Sequence, residues 1–327
     1  MATTRYPRHG SLAYWPRKRA SNSVSRVRNH PVSKDVKILG FAGYKVGMTH
    51  IAYLNNRQGS HTKGMEIVSS VTIIECPPLK VASIRYYKSK ANGKKLVSEV
   101  FSKVDPILSK KASVPKNDNS SKADEINPEQ ITEVRLNVYT QPSLTTLGKK
   151  KPELFELAIG GSLTEQMAYA KNMLGKEIKV QDILKEGQQV DIYSVTKGKG
   201  FQGPVRRFGI DLKGHKTEKG TRNPGNVGPW TGNRSWTVSH AGQTGYHNRM
   251  ERNKWILRIS DDPKAINVDG GHLQYGLVRG TYLLLKGSVG GARKRMIKMI
   301  MPKRKNKLVP EHAPQITFVS TQSKQGL

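Results

Sequence analysis

The chain has 327 residues, enough to bury a sizeable core, and this length predicts roughly two domains. Its 56 lysine and arginine residues outnumber its 24 aspartate and glutamate residues, and the formal net charge is +32. Such an excess favours a polyanionic partner and argues against an ordinary soluble enzyme. No apolar run reaches the roughly 18 residues of a membrane-spanning helix, so nucleic acid is favoured over a membrane as that partner.

Cysteine usage and the N-terminus predict a cytoplasmic protein. Cys76 is the only cysteine, which excludes an intramolecular disulfide and any zinc or iron–sulfur site built from several cysteines. Its place before Pro77 predicts a small buried or strand-end residue. The N-terminus lacks the apolar stretch of a secretory signal.

Residues 1–34 predict a basic N-terminal arm. They hold eight basic side chains and no acidic one, with Pro, Gly, Ser and His between them, so they cannot form a packed core of their own. Two interpretations stay open: a solvated, disordered tail, or an arm that becomes ordered against phosphates and bases. Tyr6, Tyr14 and Trp15 favour the second, because aromatic rings stack on unpaired bases.

Strand patterns lie on both sides of a neutral middle section. Alternating or short apolar runs predict strands at 36–54, 66–76, 81–87, 190–196, 253–260, 282–289 and 316–321. Short strands drawn from distant parts of one chain, with glycine-rich turns between them, favour a closed β-barrel made from residues 35–84 and 186–327.

The sequence pattern of residues 85–185 predicts an α/β insertion in that body. Residues 105–186 carry 12 acidic and 12 basic side chains, so this section lacks the charge excess of its neighbours. Residues 131–142 have a strand pattern. Residues 162–174 have apolar side chains at helical spacing and begin with the Ser and Glu of a capping box. The predicted fold class is therefore mainly β with an α/β insertion.

The stretch "VTKGKGFQGPVRRFG" contains Gly198, Gly200 and Gly203 in the G-x-G-x-x-G spacing of a dinucleotide-binding loop. Such a loop needs a helix directly after the glycines, so that the helix N-terminus faces the pyrophosphate. Pro204 can open a helix here, but Gly209 ends it within about a turn and a half. A nucleotide cofactor is therefore not expected.

Other enzyme signatures are equally weak. The acid expected about 20 residues after the glycines could only be Glu218, which lies in a glycine-bounded basic loop. His240 and His247 are seven positions apart and do not form the i, i+4 pair of a helical metal site. The sequence contains no G-x-S-x-G stretch. We therefore expect no catalytic residue, no cofactor and no metal.

Residues 197–252 predict an extended basic loop within the second half of the barrel. From Lys197 to Arg258 there are 13 lysine or arginine residues, three acidic residues and 11 glycines, with few aliphatic side chains to form a core. Cations, glycines and flat side chains are what a polypeptide needs to lie between RNA helices. A disordered loop is the alternative, and Trp230 and Trp236 argue against it because a solvated loop has no use for them.

A third basic block, residues 286–307, has nine lysine or arginine residues and no acid. A solvated surface is one interpretation. Gly287, Gly290 and Gly291 favour RNA contact instead, because they let the backbone approach whatever the neighbouring cations touch.

The residues predicted to contact RNA come from these three segments and are cationic, flat, amide-bearing or glycine. They are Arg5, Arg8, Arg17, Lys18, Arg19, Arg26, Lys197, Lys199, Gly200, Gln202, Gly203, Arg206, Arg207, Lys213, His215, Lys216, Arg222, Trp230, Arg234, Trp236, His240, Gln243, Tyr246, His247, Arg249, Arg252, Arg293, Lys294 and Arg295.

The stretches "TKGKGFQGPVRRFG", "HKTEKGTRNPGNVGPWTGNRSWTVSHAGQTGYHNR" and "KGSVGGARKR" resemble the universal large-subunit ribosomal protein three family. The opening "RYPRHGSLAYWPRKRA" is similar to its archaeal and eukaryotic branch, and the chain length indicates an archaeal-type member. The resemblance covers nearly the whole chain. It implies a translation-factor-like β-barrel with an α/β insertion, and a long irregular extension that enters the rRNA from Lys197 to about Arg252, with Trp230 near its tip.

The same resemblance implies a function. The family acts early in assembly, its extension supports the rRNA around the peptidyl transferase centre, and it helps to form the landing site for elongation factors. Chemistry in that centre belongs to RNA, so no residue of this chain is expected to be catalytic. The implied partners are large-subunit rRNA of the 23S type, neighbouring ribosomal proteins and, indirectly, translation factors; neither a membrane nor a homo-oligomer is expected.

A free-standing basic RNA-binding or chaperone protein remains the alternative. The two functions differ in what they predict for the isolated chain. A ribosomal extension is protease-sensitive alone and protected in the assembled subunit, whereas a free-standing binder resists trypsin at residues 197–252.

Overall fold

The computed structural model of the chain describes residues 7–103, 105–115, 119–227 and 238–323. The chain forms two compact units. The arm–extension unit comprises Met1–Asn22 and Val195–Arg249, and the body unit comprises Ser23–Ser194 and Met250–Leu327. Each unit is thus assembled from two separate stretches of sequence.

β-Strands make up most of the regular structure, as the sequence predicts. In the described residues they are β1 (Gly40–Leu54), β2 (Glu66–Glu75), β3 (Leu79–Lys90), β4 (Gly93–Phe101), β5 (Glu133–Thr140), β6 (Leu154–Ala158), β7 (Glu177–Ile178), β8 (Gln189–Val195), β9 (Gly198–Gln202), β10 (Gly242–Gly245), β11 (Asn248–Ser260), β12 (Tyr282–Lys286), β13 (Met296–Ile300) and β14 (Ile316–Val319).

Helices are short by comparison. They are α1 (Pro106–Ser109), α2 (Leu163–Met173), α3 (Val180–Ile183) and α4 (Pro204–Phe208), with 3-10 turns at Leu12–Tyr14, Ser120–Ala123, Pro128–Gln130, Pro142–Leu144 and Pro263–Ala265. In the part of the chain that the structure describes, no helix combines the length and apolar character needed to cross a bilayer.

The larger sheet of the body unit has the strand order β13-β8-β11-β12-β2-β1-β14. β1 also pairs with β13, with Gly40 opposite Ile300, so six strands pair in a closed cycle and β14 lies outside it. Gly43 allows β1 to pack closely on β2, because a Cβ there would lie 2.6 Å from Ile74 Cγ2 and 2.7 Å from the Glu75 carbonyl oxygen. This close packing keeps the first half of β1 buried on both faces.

The smaller sheet has the order β4-β3-β5-β6, with β7 paired to β3. α2 packs on β5 and β3. Its N-terminus is capped as the sequence predicts, because the Ser162 N–H donates to Glu165 Oε2 at 2.8 Å. This part of the chain therefore mixes helices and strands, and the boundaries of the insertion stay a prediction.

The hydrophobic core of the body unit is continuous between the two sheets. Its largest buried side chains include Tyr44, Tyr53 and Tyr86. The Tyr44 hydroxyl donates to Thr140 Oγ1 at 2.8 Å, so that burial does not leave it unpaired. Cys76 directly follows β2 and is 1% exposed, as predicted, and burial raises the pKa of its thiol.

β13 is missing from the strands predicted from the sequence, because it lies inside the basic block 286–307. All five of its residues are buried, including Lys298, whose Nζ lies 4.7 Å from the centroid of the Phe155 ring. Burial lowers the pKa of Lys298 to about 8, and the carboxylates of Glu156 and Glu153 oppose that shift. The interpretation of the whole block as surface is therefore wrong for β13, which is part of the core.

His30 makes the stability of the body unit depend on pH. Burial lowers its pKa from 6.5 to about 4, helped by Arg135, Lys298 and Lys94 and opposed by Glu133. Because the unfolded chain binds this proton more tightly, the contribution to stability is fully present above pH 6.5 and is lost as the pH falls towards 4. Between pH 7 and about pH 4.5, the free energy of unfolding of the parent chain should fall by about 2 kcal/mol more than that of His30→Gln.

Urea denaturation of the parent and of His30→Gln at both pH values measures this gain. His50 is an exposed histidine of the same unit, and His50→Gln should leave the pH dependence of the parent unchanged. Equal acid sensitivity of the parent and His30→Gln would contradict the assignment.

Candidate nucleic-acid interface

Positive charge is concentrated in the arm–extension unit. Its two stretches contain 15 lysine and arginine residues, and their only acids are Asp211 and Glu218. So many lysine and arginine side chains in one unit repel one another unless a polyanion neutralises their charge.

β9 and β10 form a two-stranded antiparallel sheet in this unit. The close approach of the strands requires Gly245, whose φ is +72° and where a Cβ would lie 2.0 Å from the Lys197 carbonyl oxygen. On β9 the side chain of Lys199 is exposed, and the ring of Phe201 is 77% exposed. The sheet thus presents an aromatic ring beside cations, a combination that stacks on bases while neutralising phosphates.

α4 places two adjacent arginines in different surroundings. The helix begins at Pro204 and ends before Gly209, whose φ is +69°, so it is as short as the sequence predicts and cannot serve as the helix of a dinucleotide-binding loop. Arg206 is exposed, whereas Arg207 is half-buried beside the buried ring of Phe208.

Phe208 brings together two arginines from distant parts of the sequence. The guanidinium carbons of Arg17 and Arg207 lie 4.3 and 5.2 Å from the Phe208 ring centroid, and 5.7 and 5.8 Å from that of Trp15. The two rings meet edge to face at 5.9 Å. We call Trp15, Arg17, Arg207 and Phe208 the Phe208 cluster. Each cation–π contact stabilises by about 0.5–2 kcal/mol, so two rings hold two like charges side by side.

The arginines of the Phe208 cluster are bound to backbone carbonyls and not to carboxylates. Arg207 donates from Nε to the Gln243 carbonyl oxygen at 3.2 Å and from Nη1 to that of His240 at 2.8 Å. Arg17 donates from Nη1 to the Arg207 carbonyl oxygen at 3.4 Å, and neither arginine forms an ion pair with the described residues. Burial lowers the pKa of both; Arg8 adds to the effect at Arg17, and Arg17 adds to it at Arg207.

Backbone hydrogen bonds attach the arm to the extension. The Ala20 N–H donates to the Tyr246 carbonyl oxygen at 2.8 Å. His247 Nδ1 lies 2.8 Å from the Lys18 carbonyl oxygen, and because a carbonyl only accepts, Nδ1 carries the proton. Burial lowers the pKa of His247; the hydrogen bond to the Lys18 carbonyl opposes this shift, and three neighbouring arginines add to it. The docked arm therefore uses a neutral imidazole.

Two further cations stack on rings of the same unit. Arg249 lies 4.5 Å from the Tyr14 ring centroid and Arg19 lies 5.4 Å from that of Tyr246. Sequence reasoning omitted Phe201 and Phe208 from the predicted contact residues. The one available signal was that "GFQGPVRRF" sets a ring at each end of a basic stretch.

The other predicted residues of this unit are distributed as follows. Exposed are Arg8, Lys18, Arg19, Lys197, Lys199, Gly200, Gly203, Arg206, His215, Lys216 and Arg222, and partly buried are Gln202, Lys213, His240, Gln243, Tyr246 and Arg249. Arg26 and Arg252 are exposed on the body unit. Arg5, Trp230, Arg234 and Trp236 lie outside the described residues.

The expectation that residues 197–252 have no structure of their own is wrong at both ends of the segment. β9 and α4 occupy its beginning, and β10 and the first part of β11 occupy its end. Trp15 of the arm supplies apolar surface that the segment itself lacks, by packing on Phe208. Between Gly209 and Val227 the described chain has neither helix nor strand.

A buried lysine of the body unit holds the loop that carries the predicted contact residues 293–295. Lys45 is 8% exposed, and its Nζ donates to the carbonyl oxygens of Val289 and, at 3.3 Å, Gly291. Lys294 has a φ of +68°, and its N–H donates to the Lys45 carbonyl oxygen at 2.8 Å. The loop is therefore shaped by the protein itself. Sequence reasoning missed Lys45 because it lies within an apolar strand pattern.

Beside its mainly β body the chain has a cationic unit that offers arginines and aromatic rings together, and such a unit is typical of nucleic-acid-binding proteins. In the described ranges no three His, Cys, Asp or Glu side chains are grouped to hold a metal ion. The family model described as "Ribosomal protein L3" matches residues 1–326. The chain belongs to this family.

Curated relatives are similar over their whole length. The chain is 45% identical to a protein of Methanobrevibacter smithii and 44% identical to one of Methanosphaera stadtmanae, in each case over 332 residues and 98% of both chains. It is 44% identical to a protein of Methanothermobacter thermautotrophicus over 342 residues and 100% of both chains. All three are named large ribosomal subunit protein uL3. The resemblance stated from the motifs, including its archaeal type, is confirmed.

Proposed function

We propose that the protein is a structural component of the large ribosomal subunit and binds 23S-type rRNA through the arm–extension unit. The family match and the full-length archaeal relatives support this function. The observation that carries it is the Phe208 cluster, in which Arg17 and Arg207 are packed against rings and form no ion pair with the described residues. Phosphate groups are the anions that complete such a site.

The body is proposed to be a translation-factor-like β-barrel made of residues 35–84 and 186–327, with residues 85–185 as an α/β insertion. The closed cycle of six strand pairings supports a barrel. The arm of residues 1–34 and the basic loop of residues 197–252 are its RNA-binding extensions.

The proposed role extends to assembly and to the catalytic centre. The protein acts early in assembly, and its extension supports rRNA near the peptidyl transferase centre. Its partners are rRNA, neighbouring ribosomal proteins and, indirectly, translation factors. The chemistry of that centre belongs to RNA, and no residue of this chain is catalytic. The protein therefore acts through its position and its charge. It is located in the ribosome.

Arg206 offers a direct test of phosphate binding, because it is exposed and its side chain forms no hydrogen bond or ion pair with the described residues. We expect Arg206→Ala to reduce the slope of log affinity against log salt by about 0.7–0.9, the value of one phosphate contact. Filter binding of the whole chain to large-subunit rRNA between low and physiological salt measures this slope.

The matched control for that experiment is Lys122→Ala, which removes an exposed cation from the neutral part of the body. It should leave the slope unchanged. If Arg206→Ala and Lys122→Ala gave the same slope as the parent, the extension would not be the RNA-binding surface.

The packed ends of the 197–252 segment favour one alternative, a free-standing basic RNA-binding or chaperone protein. Such a protein would have its RNA-binding surface folded before RNA is present, as β9, α4 and β10 are. Sedimentation of cell extract in a sucrose gradient separates the two functions, because a ribosomal protein moves with large subunits after a high-salt wash.

A further inference from the structure

A cavity of about 230 Å³ opens in the body unit beside β11 and β12. Its walls include Trp255 from β11 and Leu308 and Val309 from the segment after β13, and Arg57 and Lys286 lie at its sides. The volume equals that of roughly eight water molecules, and so admits one planar heterocycle.

The cationic side of this cavity is rigid. Lys286 Nζ donates to the Tyr53 hydroxyl oxygen at 2.7 Å and lies 5.6 Å from the Trp255 ring centroid. Trp255 Nε1 donates to the Gly187 carbonyl oxygen at 3.0 Å, so the indole cannot rotate away. Arg57 is exposed, and its guanidinium has no hydrogen bond or ion pair with the described residues. None of the described residues that line the cavity is acidic.

A run of exposed cations leads to the cavity along the chain. Lys303, Arg304, Lys305 and Lys307 are all exposed and directly precede Leu308 at its entrance. Cations at this spacing suit the repeated phosphates of a nucleic-acid strand.

We propose that this cavity, which we call the Trp255 pocket, receives one unpaired nucleotide of the rRNA. The base lies against Leu308 and Val309, and the adjoining phosphates lie against Arg57 and the exposed run that begins at Lys303. This inference rests on the proposed function and assigns a contact on the body unit to a pocket whose lining residues are not among those predicted individually to contact RNA.

A nucleotide fits the pocket better than an acidic peptide for a physical reason. Each nucleotide joins a charged phosphate to a flat, uncharged ring, and this matches a cationic rim around an apolar interior. An acidic side chain carries its charge at its tip, so entering the cavity would strip water from that charge against Leu308 and Val309.

Base-specific chemical probing of large-subunit rRNA, with and without the whole chain, tests the proposal. The parent chain should protect at least one unpaired base that Leu308→Trp leaves reactive, because the larger ring narrows the entrance of the pocket. The same substitution should weaken rRNA binding about tenfold, because one base no longer enters the pocket. Val68→Trp, at a residue of the body unit that is 69% exposed, is the matched control and should behave as the parent.

Arg57→Gln provides a second variant that leaves the cavity walls intact and removes only the free cation. It should reduce protection of the same base. If the parent binds rRNA and both variants protect every base that it protects, the pocket assignment is wrong while the proposed function stands. If the parent does not bind rRNA, the proposed function itself fails. A benzophenone side chain introduced at position 308 should crosslink to rRNA, and crosslinking to a ribosomal protein instead would overturn the nucleotide in favour of a peptide.

Discussion

Replacing Glu75 with alanine should lower the free energy of unfolding by about 3–5 kcal/mol, because it removes the acceptor of three hydrogen bonds. Glu75 is 0% exposed at the end of β2. Its carboxylate accepts hydrogen bonds from the Tyr275 hydroxyl, from the Arg279 N–H at 2.8 Å and from the Gly280 N–H at 3.1 Å. Alanine would leave three donors inside the protein without an acceptor, and each unsatisfied donor costs about 1–3 kcal/mol.

Urea denaturation followed by far-ultraviolet circular dichroism measures the loss, and the midpoint should fall without a change in slope. Glu75→Gln keeps the shape and one acceptor oxygen, so its cost should be about 1–2 kcal/mol. Glu129 is exposed, and Glu129→Ala should stay within about 0.5 kcal/mol of the parent. A Glu75→Ala chain as stable as Glu129→Ala would show that the carboxylate does not organise the turn at 275–281.

Elements with a strong local pattern could be predicted from the sequence. β1, β2, β8 and β11 are near-continuous or alternating apolar runs, and α2 begins with a capping box. These signals depend on residues a few positions apart, and burial of one face is enough to select the structure. The short helix α4 was predictable for the same reason, since Pro204 and Gly209 set its two ends.

β13 shows where local reasoning fails. Its residues "MIKMI" lie between two groups of lysine and arginine, so the charge of the neighbours hides the apolar run. The strand is identified by its partners, because it pairs with β1 and β8 from distant parts of the chain. Lys298 is tolerated there because the Phe155 ring and two nearby carboxylates surround its amine.

The candidate site, too, has features that could be predicted from the sequence and features that could not. Cation content and glycine spacing predict that the arm and the extension bind RNA, because composition alone reports charge. The pairing of Arg17 with Arg207 spans 190 positions, and no sequence pattern brings them together. Composition also cannot separate Arg206, which is free for phosphate, from Arg207, which donates to two carbonyls of its own unit.

Replacing Phe208 with alanine should release the N-terminal arm from the extension. The ring is 8% exposed and contacts both arginines and the indole of the Phe208 cluster, so alanine leaves two like charges with nothing between them. Loss of a buried phenylalanine costs about 3 kcal/mol or more, and a cost of about 3 kcal/mol on docking of the arm raises the population of the open arm more than about 100-fold. Trypsin cleavage after residues 17, 18 and 19 of the isolated chain measures that population, because cleavage follows the open form.

Phe201 supplies the matched control, since it is an exposed phenylalanine of the same unit. Phe201→Ala should leave trypsin cleavage of the arm unchanged and weaken rRNA binding about tenfold, through the loss of one stacked base. Phe208→Ala should weaken rRNA binding as well, because the released arm no longer contributes to it. Removing residues 1–22 from the Phe208→Ala chain should therefore cause little further loss of rRNA affinity. Rapid cleavage of the arm in the parent chain itself would mean that rRNA holds the arm and the Phe208 cluster does not. In that case the two arginines, in the absence of an anion, would repel each other more strongly than the rings attract them.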